Sequence, residues 1–402
     1  MDSAFFTHNR QNLSDALAGA PLIITAYTQT QRRADMAWHF EQEANFWWLT
    51  GIEAPDWQLI VDTTRHKSWL VAPEVDDVHQ VFDGSLSSDE AVHQSGVDGV
   101  LTRSQAEEKI AELAKRHTVV YLLGDDPQAS HYNFALNPAP AELKRQLARS
   151  FKDVRSARKE LSVLRAIKQP AELVVMQRAI DTTIDGFIAV RDKLQNFKYE
   201  YEIDAEFSYL FRKHGASGHA YDPIVAAGAN ACTLHYVANR ERLKKRQLVL
   251  LDIGAHMGGY AADITRTYAY GEPAKRQVAV HRAAQLAQQE IIASIEPNLS
   301  VEEYQRSVDR IMTEALMSLG LMKDATDQDN YHRYFPHAVS HGLGVDVHDS
   351  LGGPKYLQPG MVLTVEPGIY IPEEGIGVRI EDDILVTANG HTNLSQRLST
   401  DL

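Results

Sequence analysis

The chain has 402 residues, 44% of them hydrophobic and 23% charged, which is enough apolar mass for a large core and argues against bulk disorder. Its formal charge is −14, from 40 Lys+Arg against 54 Asp+Glu, and it has no dense basic run, which argues against a nucleic-acid binder. The one cysteine, Cys232, forbids an intrachain disulfide and fits a reducing cytoplasm. The N-terminus "MDSAFFTHNRQNLSDAL" does not read as a signal peptide, and no run approaches the ~18 apolar residues of a membrane span. The expectation is a cytoplasmic protein with no membrane partner.

In chain order, residues 20–28 and 57–64 read as strands, 105–117 as a helix and 118–124 as a strand. This alternation predicts an α/β N-terminal domain over residues 1–155. Residues 149–173 are basic and polar, and Pro170 stands where a helix would start. Beyond this boundary, residues 156–402 predict an α+β domain with an antiparallel sheet. Helical patterns cover roughly 170–194, 202–214, 274–295 and 301–319, and residues 336–402 read as a glycine-punctuated, strand-rich end.

Within that second domain "LVLLDIGAHMGGYAADITRT" (248–267) reads as a hairpin turning at Gly258-Gly259. A turn centred between Met257 and Gly258 places Asp252 directly opposite Asp263, with Cβ atoms ~5 Å apart. Two facing carboxylates in an apolar hairpin need compensation. Either Arg266 or Arg379 supplies a salt bridge, or the pair binds a cation.

Three further stretches bear on that choice. "HAVSHGLGVDVHD" (337–349) sets three histidines among glycines. "MVLTVEPGIYI" (361–371) ends an apolar strand on Glu366, and "GVRIEDDILV" (377–386) puts Arg379, Glu381 and Asp383 on one face at period two. Any one of these residues alone has an ordinary structural explanation. Together, several carboxylates and an imidazole inside apolar strands suit Mn²⁺, Co²⁺ or Zn²⁺. Four carboxylates carry too much charge for one divalent ion, so two ions ~3.5–4 Å apart fit better.

With "YDPIVAAGANACTLHY" (221–236), these motifs resemble the pita-bread metallopeptidases: Xaa-Pro aminopeptidase (aminopeptidase P), Xaa-Pro dipeptidase (prolidase) and methionine aminopeptidase. The resemblance implies a C-terminal pita-bread (creatinase/aminopeptidase) fold with two metal ions, most often Mn²⁺. It implies that Asp252 chelates one ion, that Asp263 and Glu381 bridge both, and that His341 and Glu366 complete the ligand set of the second ion. A hydroxide between the ions is the implied nucleophile, and Glu366 the implied proton shuttle. His235 and His348 are implied to contact the scissile carbonyl or the tetrahedral intermediate. Arg379 becomes a cation beside Glu381, and His337 a further pocket histidine with an equally good structural reading.

The segment 32–61 is similar to the entry of bacterial aminopeptidase P, matching at Asp35, Gln42, Phe46, Trp47, Thr50 and Gly51. In that family the segment helps close a neighbouring subunit's active site, which implies a homo-oligomer, dimer or tetramer, with Asp35 reaching the substrate. The bland alternative leaves Asp35 solvated and the aromatics in the core. This match favours an aminopeptidase acting on proline-containing peptides over a strict prolidase. Creatinase-like or non-catalytic members of the fold would have lost the ligand set, which this chain retains. Two departures stand out. His256-Met257 replaces a common Glu-Tyr, so a turn tyrosine supporting the aspartates is expected to be missing. The segment 392–402 lacks the longer tail of some relatives, which leaves substrate length open.

Overall fold

Apolar runs in the first part of the chain assemble into one mixed sheet. The strands are β1 (Leu22–Thr25), β4 (Gln58–Asp62), β5 (Lys67–Val71), β6 (Gly99–Leu101), β7 (Val119–Leu122) and β8 (Asp153–Ser156), in the order β6-β5-β4-β1-β7-β8. The computed structural model describes residues 1–124 and 132–402, which divide into two compact units, Met1–Leu164 and Arg165–Leu402. In the first unit the predicted helix runs over Arg103–Arg116. Thr102 caps it, and Ala106, Ile110 and Leu113 fall on one stripe against the sheet core. A small hairpin of β2 (Gln31–Arg33) and β3 (Met36–Ala37) is exposed throughout, and Asp35 sits in its turn.

The second unit begins with helix Pro170–Lys193, whose Pro170 stands in its first turn as predicted. The Glu172 carboxylate accepts from the Gln169 N–H at 2.8 Å and satisfies one donor that the helix start leaves unpaired. Met176, Ile180, Ile184, Phe187 and Val190 bury one face, and helix Glu200–Lys213 packs beside it through Ile203, Phe207 and Phe211. Both cover the antiparallel sheet of β10 (Ile224–Ala227), β11 (Gln247–Ile253) and β14 (Ile264–Tyr270).

The two-residue alternation of β11 sorts its side chains. Val249, Leu251 and Ile253 join the core under these helices, while Leu248 and Leu250 join clusters on the other side. Asp252 shares the parity of the second set. That second side also carries β15 (Val362–Val365), β16 (Gly368–Ile371), β17 (Ile376–Arg379), β18 (Asp382–Thr387) and β19 (Gly390–Asn393). Helices Lys275–Ala293 and Val301–Ser318 cover these strands and close a separate apolar core. Grouped helices and antiparallel strands make the unit α+β, as the sequence predicts. The strands of this end start only at Val362, later than the predicted 336. The glycine-rich stretch 337–349 instead forms an irregular loop tied by a bridge between Gly342 and Asp349.

The hairpin is one residue out of the predicted register. Gly258 and Gly259 both take positive φ, 57° and 83°, and form the two-residue turn between β12 (Ala255–Met257) and β13 (Tyr260–Ala261). Met257 pairs with Tyr260, so Asp252 faces Thr265 rather than Asp263. Moving the centre by one residue moves the partner by two, which preserves the face. Asp263 therefore lies diagonal to Asp252 on the same side. Gly254 permits the close crossing, since a Cβ there would stand 1.8 Å from the carbonyl oxygen of Ala262.

Candidate metal centre

The four carboxylates among the five predicted ligands sit at or just beyond the end of a strand, where the backbone is fixed and the side chain is free to converge, while His341 sits on the loop 337–349. Asp252 is the last but one residue of β11, Asp263 precedes β14, Glu366 follows β15, and Glu381 lies between β17 and β18. The Glu381 N–H donates to Thr265 O at 3.0 Å, and the Glu366 N–H to Val339 O at 2.9 Å. His341 is fixed by its N–H to Thr364 Oγ1 (3.2 Å), and its Nδ1 lies 3.0 Å from Gly342 O. With Nδ1 bonded to a carbonyl, Nε2 is left to face the carboxylates.

Those carboxylates are close. His341 Nε2 lies 3.4 Å from Asp263 Oδ2 and 3.5 Å from Glu366 Oε1. Asp263, His341 and Glu381 offer ligand atoms all within 4.8 Å of one another. Asp252 joins through Tyr221, whose phenol oxygen is 2.6 Å from an oxygen of Asp252 and 2.6 Å from one of Asp263. The phenol has one proton, so it can donate to only one of them.

This crowding shows in the proton affinities. Burial, with Asp263 and Asp252 adding to it, holds the Glu366 carboxyl up at about 7. Burial and the neighbouring carboxylates push Glu381 well above its usual range, and burial raises Asp252 despite Arg379. Burial opposes charge on His341, but Asp263 and Glu366 outweigh it and lift the imidazole to about 9. The cluster thus takes up protons for want of positive charge. Oxygen donors with one imidazole and an excess of negative charge suit divalent metal ions, which would displace those protons.

The salt bridge considered in the sequence is also present. Arg379 Nη2 lies 2.5 Å from Asp252 Oδ2, while Nη1 donates to Tyr370 Oη at 2.7 Å and Nε to Thr265 Oγ1 at 3.2 Å. Arg266 turns away to Asp382 (2.6 Å) and donates to the Glu381 carbonyl oxygen at 2.6 Å, so it supports the loop of Glu381 rather than neutralising the aspartates.

The histidines surround this cluster. His337 Nε2 lies 2.9 Å from Tyr370 Oη, and its Nδ1 is 3.7 Å from Glu366 Oε2. The rings of His341 and His348 meet edge to face at 4.5 Å. Burial lowers His337 and His348 to about 4, helped by Arg379 beside the first and His341 beside the second, and His235 lies near both. Both rings are therefore neutral at pH 7 and able to donate to a carbonyl or oxyanion oxygen. Asp35 belongs to the exposed hairpin of the first unit, and no structural relation to this cluster is assigned to it.

Tyr221, Thr265 and Tyr370 escaped the sequence reading. Thr265 donates to Glu381 Oε2 at 2.6 Å. The turn tyrosine is missing, as expected, but the aspartates do not lack a phenol. Met257 packs into the core beneath helix Pro170–Lys193, and Tyr221 reaches the aspartates from the bend that leads into β10, the strand next to β11. Tyr221 opens the motif 221–236, so the signal was in view. Only the pairing of β10 with β11, Ile224 opposite Asp252, shows where it points.

Comparison with known proteins agrees with this geometry. Residues 175–388 match the model of metallopeptidase family M24, and residues 6–121 match the aminopeptidase P N-terminal domain. The Xaa-Pro aminopeptidase of Escherichia coli K12 is 32% identical, covering 97% of this chain and 94% of that protein. Human Xaa-Pro aminopeptidase 3 is 33% identical, over 90% of this chain and 75% of its own length. Among solved structures, E. coli aminopeptidase P with the inhibitor Pro-Leu superimposes with a TM-score of 0.87 at 30% identity, covering 100% of this chain and 96% of that one. Proline aminopeptidase P II from Yersinia pestis gives 0.85 at 31% identity, covering 100% and 98%. With a family match across more than half its length and a strand-end carboxylate cluster to go with it, the chain belongs to metallopeptidase family M24, with an aminopeptidase P N-terminal domain ahead of the catalytic one.

Proposed function

We propose that this protein is a two-metal exopeptidase that hydrolyses the bond between an N-terminal residue and a following proline. The observation that supports it best is the convergence of Asp252, Asp263, His341, Glu366 and Glu381 beside three histidines. Those five side chains would hold two divalent ions, with Asp263 and Glu381 shared between them. Mn²⁺ is the preferred ion, and the donors also accept Co²⁺ or Zn²⁺. When bound, the ions supply Lewis acidity and lower the pKa of water.

The residues of the chain do the rest. Glu366 takes a proton from the attacking water and returns it to the leaving nitrogen. That return matters for proline, whose ring nitrogen carries no N–H and leaves poorly unprotonated. His235 and His348 donate to the scissile carbonyl oxygen as charge develops on it. Arg379 orients Asp252, and with Tyr370 and His337 it lines the pocket for the peptide. Asp35 contributes from a neighbouring copy, so the working form is a homo-oligomer, a dimer or tetramer. A single cysteine supports a cytoplasmic protein. Among the described residues no helix is long and apolar enough to cross a membrane.

Chelation abolishes hydrolysis of Gly-Pro-Xaa tripeptides and Mn²⁺, Co²⁺ or Zn²⁺ restores it, while Asp263→Ala is inactive with every ion. Undiminished activity of that variant after metal removal would end this mechanism. Cleavage of Gly-Pro alone, and of no tripeptide, would make the enzyme a dipeptidase.

A further inference from the structure

His348 sits on the irregular loop 342–349, outside any helix or strand. What the structure gives its ring is the edge-to-face contact with His341. A side chain that must meet a carbonyl oxygen within a few tenths of an ångström needs firmer support than that. The next residue supplies it. Asp349 points the opposite way, into the protein, and its carboxylate is gripped from two sides. Arg165 Nη2 lies 3.0 Å from Oδ1, and Lys168 Nζ 3.1 Å from Oδ2. All three side chains are buried, at 5%, 2% and 3% exposure.

The two cations are themselves fixed. The Lys168 N–H donates to Gly360 O at 2.8 Å, and the Gly360 N–H to Val386 O of β18 at 2.9 Å. Lys168 Nζ also donates to the Arg165 carbonyl oxygen at 2.6 Å, at the end of helix Arg158–Ala166. Arg165 Nη2 reaches Asp346 of the same loop at 3.0 Å. The loop wraps closely around this grip, for a Cβ on Gly344 would stand 2.0 Å from Asp349 Oδ2 and 2.8 Å from Lys168 Nζ. The connection runs from β18 through Gly360 and Lys168 to Asp349, and so to His348.

We infer that Arg165 and Lys168 are positioning residues, which set the place of the His348 imidazole by clamping Asp349, without touching metal or substrate. The inference rests on the reading that His348 meets the substrate. Lys168→Met removes one jaw and leaves Asp349 paired with Arg165. In the Mn²⁺-loaded enzyme with a Gly-Pro-Xaa tripeptide it lowers kcat by about 10- to 100-fold, the loss expected from misplacement by an ångström. Lys168→Arg, which keeps the charge, recovers most of that loss. Bound Mn²⁺ per chain stays at the wild-type level. In a His348→Ala background the same substitution changes kcat by less than about twofold, because the ring it positions is gone. A crystal structure of Lys168→Met shows the His348 ring displaced, with Asp263, His341 and Glu381 in place. Asp346→Asn, which leaves the buried pair intact, gives a smaller loss with the same non-additivity, and it serves if Lys168→Met does not fold.

Equal losses in both backgrounds, or loss of bound metal, overturn the clamp, as does an unmoved His348 ring. Full activity of His348→Ala instead overturns the assigned role of His348, and the displaced or unmoved ring still decides the clamp.

Discussion

Thr265→Val tests how the centre is tuned. Thr265 is fully buried, and its hydroxyl donates to Glu381 Oε2 at 2.6 Å while accepting from Arg379 Nε at 3.2 Å. Valine replaces that hydroxyl with a methyl of similar size, so no cavity opens and the change is chemical. A hydrogen bond to a charged group contributes about 1.5–3 kcal/mol, and its loss frees Glu381 to rotate. At about 1.4 kcal/mol per tenfold this corresponds to a metal affinity roughly 10- to 100-fold weaker. The assay is calorimetric titration of metal-free protein with Mn²⁺ against a competing chelator. Because Glu381 is proposed to touch both ions, both binding steps weaken. An affinity within about twofold of wild type would refute the argument that Thr265 sets the orientation of Glu381.

Two further perturbations probe the scaffold. Gly254→Ala drives a Cβ to 1.8 Å from Ala262 O, one residue before Asp263. Because the clash is with backbone, the variant loses at least about 3 kcal/mol of unfolding free energy and weakens metal binding at the same time, and an unchanged denaturation midpoint would count against this crossing. The buried His281 is held at about 4, below its ordinary 6.5, chiefly by burial. Between those values the unfolded chain binds more protons, so the stability from neutral His281 is present above pH 6.5 and falls as pH drops toward 4. From pH 7 to pH 5 wild type therefore loses about 2 kcal/mol more than His281→Gln in urea unfolding, and equal losses in the two proteins would show that His281 titrates normally.

Much of this protein was legible in its sequence. Helical stripes such as Met176–Ile180–Ile184 and the start at Pro170 are local signals, set by a period of 3.6 and by a missing N–H. The four candidate carboxylate ligands stood out because each is a charge inside or beside an apolar strand, where only a partner can hold it, and His341 stood out as a histidine among glycines. Tertiary structure decided the rest. The register of the hairpin turned on whether the turn is centred before Gly258 or between Gly258 and Gly259, a choice of one residue that sequence leaves open. Tyr221 and Thr265 look like any other tyrosine or threonine until β10, β11 and β14 come together beside the carboxylates. Arg165 and Lys168 lie some 180 residues from Asp349 in sequence and grip it from both sides. Their role depends on three-dimensional proximity, which no local pattern encodes.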